Sequence, residues 1–280
     1  MGENSLINLG DLSKPATVLI EKISAAVGGI FKPYQIERVA KAEAKAEIIK
    51  AQTQIEVTDL HRRAISRFIA EEAQKQNNIE NITVKAIPQL KDSANPNNIE
   101  DDWITNFFDK CRIISDEEMQ SLWAKVLSGE ANNPGTYSRR TVNFLGSLDK
   151  VDASLFIALC GFGWQIGDVV PLIYDAQAQI YNDKGINFNT VTHLDDIGLI
   201  SFNSLVGFQR IKYPKKIKIY YYRTPLNIEF KNENDNSLNI GQVLLTKTGQ
   251  QLAPICGSKP VDGFRDYVIE KLKKEGLIIS

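Results

Sequence analysis

From Tyr34 to Gln76 the chain carries neither proline nor glycine, and no other feature limits its fold as much. The stretch is built largely from Ala, Glu, Lys, Arg, Gln and Ile, most of which lose little side-chain freedom in a helix. Glu37 with Lys41, Asp59 with Arg63 and Glu71 with Lys75 each place an acid four residues ahead of a base, the order a helix favours. One continuous helix would run roughly 65 Å at about 1.5 Å per residue. A helix that long needs something to cover its apolar side. Its apolar positions (Ile36, Val39, Ala40, Ile48, Ile55, Leu60, Ile65, Phe68, Ile69) drift and keep no heptad, which favours a helical hairpin or an oligomer over a regular coiled coil. Self-association or a protein partner is therefore expected through residues 13–76.

A shorter amphipathic segment precedes the arm. Pro15 suits a first helical turn begun near Ser13, and Ile20, Ile23, Val27, Ile30 and Phe31 recur at helical spacing. Gly28-Gly29 weaken its end and Pro33 breaks it. Interfacial helices are usually rich in Lys and Arg, and this polar face is not, so packing against protein is expected ahead of a membrane surface. No basic region leads into an apolar one at the N-terminus, as a signal peptide requires. The longest uncharged run, Ala153 to Gly167, falls short of the about 20 residues that span a bilayer and reads as a buried core helix. Cytoplasm is the expected compartment.

Beyond the arm, Lys91 to Asn98 is rich in turn formers and reads as a linker. Trp103, Ile104, Phe107, Phe108 and Cys111 line one face of the next helix. Ser115 to Glu118 has the spacing of a capping box, and Met119, Leu122, Trp123, Val126 and Leu127 follow it as an apolar face. Helical patterning resumes after the turn at Asn132 to Gly135, with Val142, Leu145, Leu148, then Leu155, Phe156, Leu159 and Cys160. A short helix over Thr190 to Asp196 ends at Gly198. Lys216 to Phe230 is β-branched and aromatic and is interrupted by Pro225. Leu238 to Leu245 suits a further strand, Thr246 a helix start, and Asp262 to Glu275 a last amphipathic helix. Helix, hairpin, helix is the order of a winged helix-turn-helix. The fold class predicted is mainly α with a smaller α+β part: a long N-terminal helical arm over 1–90, a central helical bundle over 91–185 and a C-terminal winged-helix-like module over 186–280.

The functional reading begins with exclusions. A net charge of −1 gives no global attraction to nucleic acid or anionic lipid. Cys111, Cys160 and Cys256 are odd in number, have no zinc spacing and sit among apolar neighbours, which predicts buried thiols. His61 and His193 have no nucleophile nearby in sequence. Gly161 to Gly167 resembles a dinucleotide fingerprint, but a helix is expected before it and no βαβ unit after it. Glu229 and Lys231 form an acid-x-lysine pair of the kind metal-dependent nucleases use, without a second carboxylate on a neighbouring strand. No catalytic residue, metal site or cofactor is expected. Two binding candidates remain. Arg210, Lys212, Lys215, Lys216, Lys218 and Arg223, interleaved with tyrosines, could neutralise phosphates, or could guard an edge strand. Asp195 and Asp196 on the would-be recognition helix oppose DNA reading. Ser138, Arg139 and Arg140 could hold an anion at a helix start, or Ser138 could cap that helix while the arginines pair with acids such as Glu130.

The block Ile114 to Glu130 (ISDEEMQSLWAKVLSGE) resembles one in an uncharacterised bacterial family, the domain of unknown function numbered 2806. Pro134 to Thr141, Leu148, Asp152 to Phe156, Lys32 to Ala46 and Leu245 to Leu252 fit the same family. A related block resembles abortive-infection-type proteins and implies a role in defence against phage. The resemblance carries no catalytic residue. These features together predict a non-enzymatic interaction or scaffold protein that assembles through its arm. The alternatives are a DNA-binding regulator using the C-terminal module and a membrane-acting defence effector.

Overall fold

The computed structural model describes residues 12–30 and 59–279. The arm over 31–58, the break expected at Pro33 and the N-terminal leader reading lie outside the described residues. About half of the described chain is helical, with a smaller antiparallel sheet part. It divides into two compact units between Ser147 and Leu148.

In the first unit, α1 (Lys14–Val27) opens with Ser13 as its cap, the hydroxyl accepting from Ala16 N. It closes on Gly28 in the left-handed region, where the Gly28 and Gly29 N–H groups both donate to the Ser24 carbonyl. Leu19, Ile20 and Ile23 are buried against protein, so the apolar stripe of this helix lies in the core of the unit. No helix among the described residues is long and apolar enough to cross a membrane.

Helix α2 (Asp59–Ala86) runs ten residues past Gln76, where the favourable composition ends. Asn77 and Asn78 are poor helix formers. The helix continues because Ile79, Ile82 and Ala86 extend its apolar stripe into the core and pack on α4 (Glu117–Asn132). Buried Asn78 donates to the Arg112 carbonyl and accepts from Gln120 Nε2, which satisfies it inside the unit. A 3₁₀ turn at Ile87–Gln89 follows. The Lys91 to Asn98 segment is pinned within this unit: Lys91 N donates to Asn132 Oδ1, Asn95 N to the Ala131 carbonyl, and Pro96 is buried.

Helix α3 (Asp101–Cys111) presents the expected apolar face. Phe107 stacks on Trp103 and meets Trp123 of α4 edge-on, with ring centroids 5.1 and 5.0 Å apart. The start of α4 departs from the capping-box reading. Asp116 is the cap, its Oδ1 accepting from Glu118 N and Met119 N at 3.0 Å. Ser115 instead bonds to Asn78 and Gln74. A carboxylate one residue closer to the helix takes two backbone donors at once and frees the serine for the tie to α2. Helix α5 (Arg139–Leu145) completes the unit.

The second unit begins with α6 (Lys150–Cys160). The uncharged run is not one helix: α6 stops at Cys160, and Gly163–Ile166 forms β1, paired with β2 (Asp168–Pro171). Gly161, Gly163 and Gly167 interrupt helical packing, while Trp164 and Ile166 alternate inward at the strand period. After a short α7 (Gln179–Asn182) comes α8 (Phe188–Asp196), capped by Asn187. Strands β3 (Ile200–Phe202) and β4 (Phe208–Tyr213) pair with β8 (Val243–Leu245) and β7 (Asn236–Gly241) respectively. Between them runs the hairpin of β5 (Lys216–Tyr221) and β6 (Thr224–Glu229). The hairpin joins β1 on one side and the terminal β9 (Ile278–Ile279) on the other, giving the order β2-β1-β5-β6-β9.

Pro225 sits inside β6 and does not interrupt the hairpin. It faces Tyr220, one step from the turn, where antiparallel partners exchange no hydrogen bonds, and β9 meets β6 only at Ile228 and Glu229. Helix α9 (Lys247–Leu252) is capped by Thr246 and packed tightly on the chain after α8. A Cβ on Gly249 would lie 2.2 Å from the Leu199 carbonyl oxygen, so only glycine fits. Helix α10 (Phe264–Lys274) supplies Phe264, which meets Phe162 edge-on in a core shared with Trp164, Tyr181 and Tyr221.

Candidate functional site

The β5–β6 hairpin gathers part of the basic run and shows how it is used. Along β5 the side chains alternate: Ile217, Ile219 and Tyr221 turn inward, and Lys216, Lys218 and Tyr220 turn outward. On the outer face Lys216 stands opposite Glu229, with Nζ 3.4 Å from the carboxylate, and Lys218 stands opposite Asn227. Glu229, the acid of the nuclease-like pair, is thus engaged by a lysine. Lys215 bonds to Glu233 at 2.7 Å, and this contact pushes its pKa above the ordinary lysine value. Arg210 belongs to β4, where it donates to the Ile166 carbonyl and lies 3.6 Å from Asp168. Lys212 sits at an irregularity in the β4–β7 ladder with φ of 66°.

The six basic residues are spread over β4 and the hairpin. Arg223 lies at the turn of the hairpin and Lys216 at its open end, about 20 Å apart at roughly 3.3 Å per residue. Arg210, Lys215 and Lys216 are compensated by acids. Lys212, Lys218 and Arg223 are exposed and make no ion pair among the described residues. Asp195 and Asp196 stand on α8, as the sequence places them.

Ser138 caps α5. Ser138 Oγ accepts from Thr141 N at 3.2 Å, and exposed Arg139 approaches Asp102 at 3.7 Å. Arg140 is exposed. Glu130 does not pair with these arginines. It is buried and accepts from Gly135 N at 2.6 Å and Tyr137 N at 2.8 Å, clamping the turn between α4 and α5. Burial pushes its carboxyl above the usual value, an effect the backbone donors of Gly135, Tyr137 and Thr136 only partly offset. Trp103 Nε1 donates to the Tyr137 carbonyl at 2.7 Å and closes the same turn.

A cavity of about 540 Å³ in the second unit was invisible to sequence reasoning. Its lining includes Cys160, Gln165, Tyr220, Tyr222, Arg223 and Ser258, drawn from three distant segments. The two turn residues of the hairpin, Tyr222 and Arg223, are both left-handed, with φ of 44° and 71°. Two-residue hairpins need that geometry and usually fill it with Asn and Gly. Here Tyr222 Oη lies 2.7 Å from Ser258 Oγ and 3.3 Å from the Cys160 carbonyl oxygen, which holds the turn over the cavity. Tyr221 donates to the Gly161 carbonyl and accepts from Val261 N; burial pushes its phenol up to about 12. No sequence signal marks these contacts, because the tyrosine run has no glycine or asparagine to announce a turn.

Histidine 193 is tied down: Nε2 lies 2.7 Å from Asp152 Oδ1, joining α8 to α6. Among the described residues no three His, Cys, Asp or Glu side chains group as a metal site would require. The model of a protein family of unknown function (DUF2806) matches residues 62–269, from within α2 to within α10. No curated protein and no solved structure matches significantly.

Proposed function

The chain belongs to the DUF2806 family of unknown function, and from that premise we propose that it is a non-enzymatic interaction protein that assembles through its helical arm. The observation that carries this reading is the first half of α2. Every residue from Asp59 to Glu71 is exposed, including Leu60, Ile65, Phe68 and Ile69 at 55–65%. Ile65, Phe68 and Ile69 share one helical face. Apolar side chains of this size contribute about 1.5–3 kcal/mol each when buried, so a partner surface over them would stabilise both the helix and the assembly. A cytoplasmic role in defence against phage is part of this proposal and rests on the sequence resemblance alone. The test is whether the full-length protein self-associates with concentration and whether Ile65→Glu with Phe68→Glu abolishes it. A monomer at every concentration would sink the reading.

A second reading is supported by the uncompensated cations Lys212, Lys218 and Arg223. In it the second unit is winged-helix-like: α8, the β3–β8 pairing and α9 follow the order of that module, and the hairpin serves as a DNA-contacting extension. It predicts duplex binding that weakens steeply with salt and is lost on changing Lys212, Lys218 and Arg223 to Glu. Binding that survives in this triple variant would remove it.

A further inference from the structure

Cys160 and Cys256 lie 96 positions apart in the sequence, and the second unit folds their segments together, with Tyr222 Oη within bonding distance of both the Cys160 carbonyl oxygen and Ser258 Oγ. Cys160 is the last residue of α6 and is almost fully buried. Cys256 is half-buried in the irregular stretch between α9 and α10, and its thiol also donates to the Ala253 carbonyl at 3.2 Å. The cavity floor reaches Cys160 and is bordered by Ala253, Pro254, Gly257 and Ser258 on both sides of Cys256. A small, uncharged oxidant can meet half-buried Cys256 from its open side, with the segment of Cys160 packed beside it. The stretch carrying Cys256 includes Gly257 at φ of 81°, and no strand or helix of that stretch resists a small adjustment.

We propose that Cys160 and Cys256 are a modification site: a dithiol that hydrogen peroxide converts to an intramolecular disulfide and a dithiol reductant restores. Cys256, the more open of the two, attacks one peroxide oxygen; the O–O bond breaks, hydroxide leaves and takes up a proton as water, and Cys256 becomes a sulfenic acid. Cys160 sulfur then attacks the Cys256 sulfur and displaces hydroxide, which leaves as a second water with the Cys160 proton. Two thiols and one peroxide give one disulfide and two waters. The order of events fits the local chemistry: the contact with Cys256, and then burial, push the Cys160 thiol up, so Cys160 keeps its proton until the sulfenic acid forms.

The experiment uses the full-length protein treated with hydrogen peroxide, denatured, blocked with an alkylating agent and digested. The expected result is a Cys160–Cys256 linked peptide two hydrogens lighter than the sum of its parts. Titratable thiols should fall from three to one, the survivor being Cys111, which is buried in the first unit. Dithiothreitol should return the count to three. In Cys160→Ser, Cys256 should stop at a sulfenic acid that dimedone traps. Three free thiols after peroxide, a linkage through Cys111, a cross-link between two chains, or oxidation of Cys256 to sulfinic acid in the unaltered protein would each overturn the proposal.

Discussion

Glu130 holds the turn between α4 and α5 in the first unit. Replacing it with Ala would strand the Gly135 and Tyr137 N–H groups in a buried turn, a cost of about 1–3 kcal/mol. Its titration adds a sign. A carboxyl whose folded pKa lies above its ordinary value of 4.5 contributes stability below pH 4.5 and loses it as pH rises through the folded value. Stability of the wild type relative to Glu130→Gln should therefore be highest below pH 4.5 and decline as pH rises past it, measured by urea denaturation at several pH values. A difference that grows with pH would contradict this account. At the same scale, the Ser138 cap was legible because a serine before a helical run has one obvious task. The Asp116 cap was not: Ser115 and Asp116 both suit the position, and the choice between them is made by Asn78, thirty-seven residues upstream of Ser115.

At the scale of elements, the helices were readable where apolar spacing continues past unfavourable residues or stops at glycine. Composition alone ends α2 too early, because the apolar stripe continues past it, and the absence of charge from both α6 and β1 hides the boundary between them. The hairpin was legible in its strands and not in its turn. Pro225 suggests a break, while the turn residues are Tyr222 and Arg223 in left-handed conformation. That conformation costs a side-chain-bearing residue roughly 1–2 kcal/mol. Arg223→Gly should therefore stabilise the second unit by about 1 kcal/mol, read as a higher denaturation midpoint with unchanged slope. A lower midpoint would mean that Arg223 makes contacts worth more than the strain. The cavity beneath the turn could not be read at all, since residues from three separate stretches meet there only after the sheet has formed.

At the scale of the whole molecule, the part of the proline- and glycine-free run that the structure describes begins exposed and ends in the core. The prolonged run without proline or glycine enters the described residues at Asp59 as a helix whose first turns carry large apolar side chains to solvent. Its second half is core: Ile79, Ile82 and Ala86 are buried, so truncating the chain before Lys91 would remove part of the first unit along with the arm. Substitutions confined to the exposed face separate assembly from folding. Sedimentation velocity on the full-length protein over a hundredfold range of concentration, beside the Ile65→Glu, Phe68→Glu variant, is the most direct measurement. Wild type should shift to a larger species as concentration rises while the variant stays monomeric with unchanged helical content; a wild type that sediments as a monomer throughout would contradict the account.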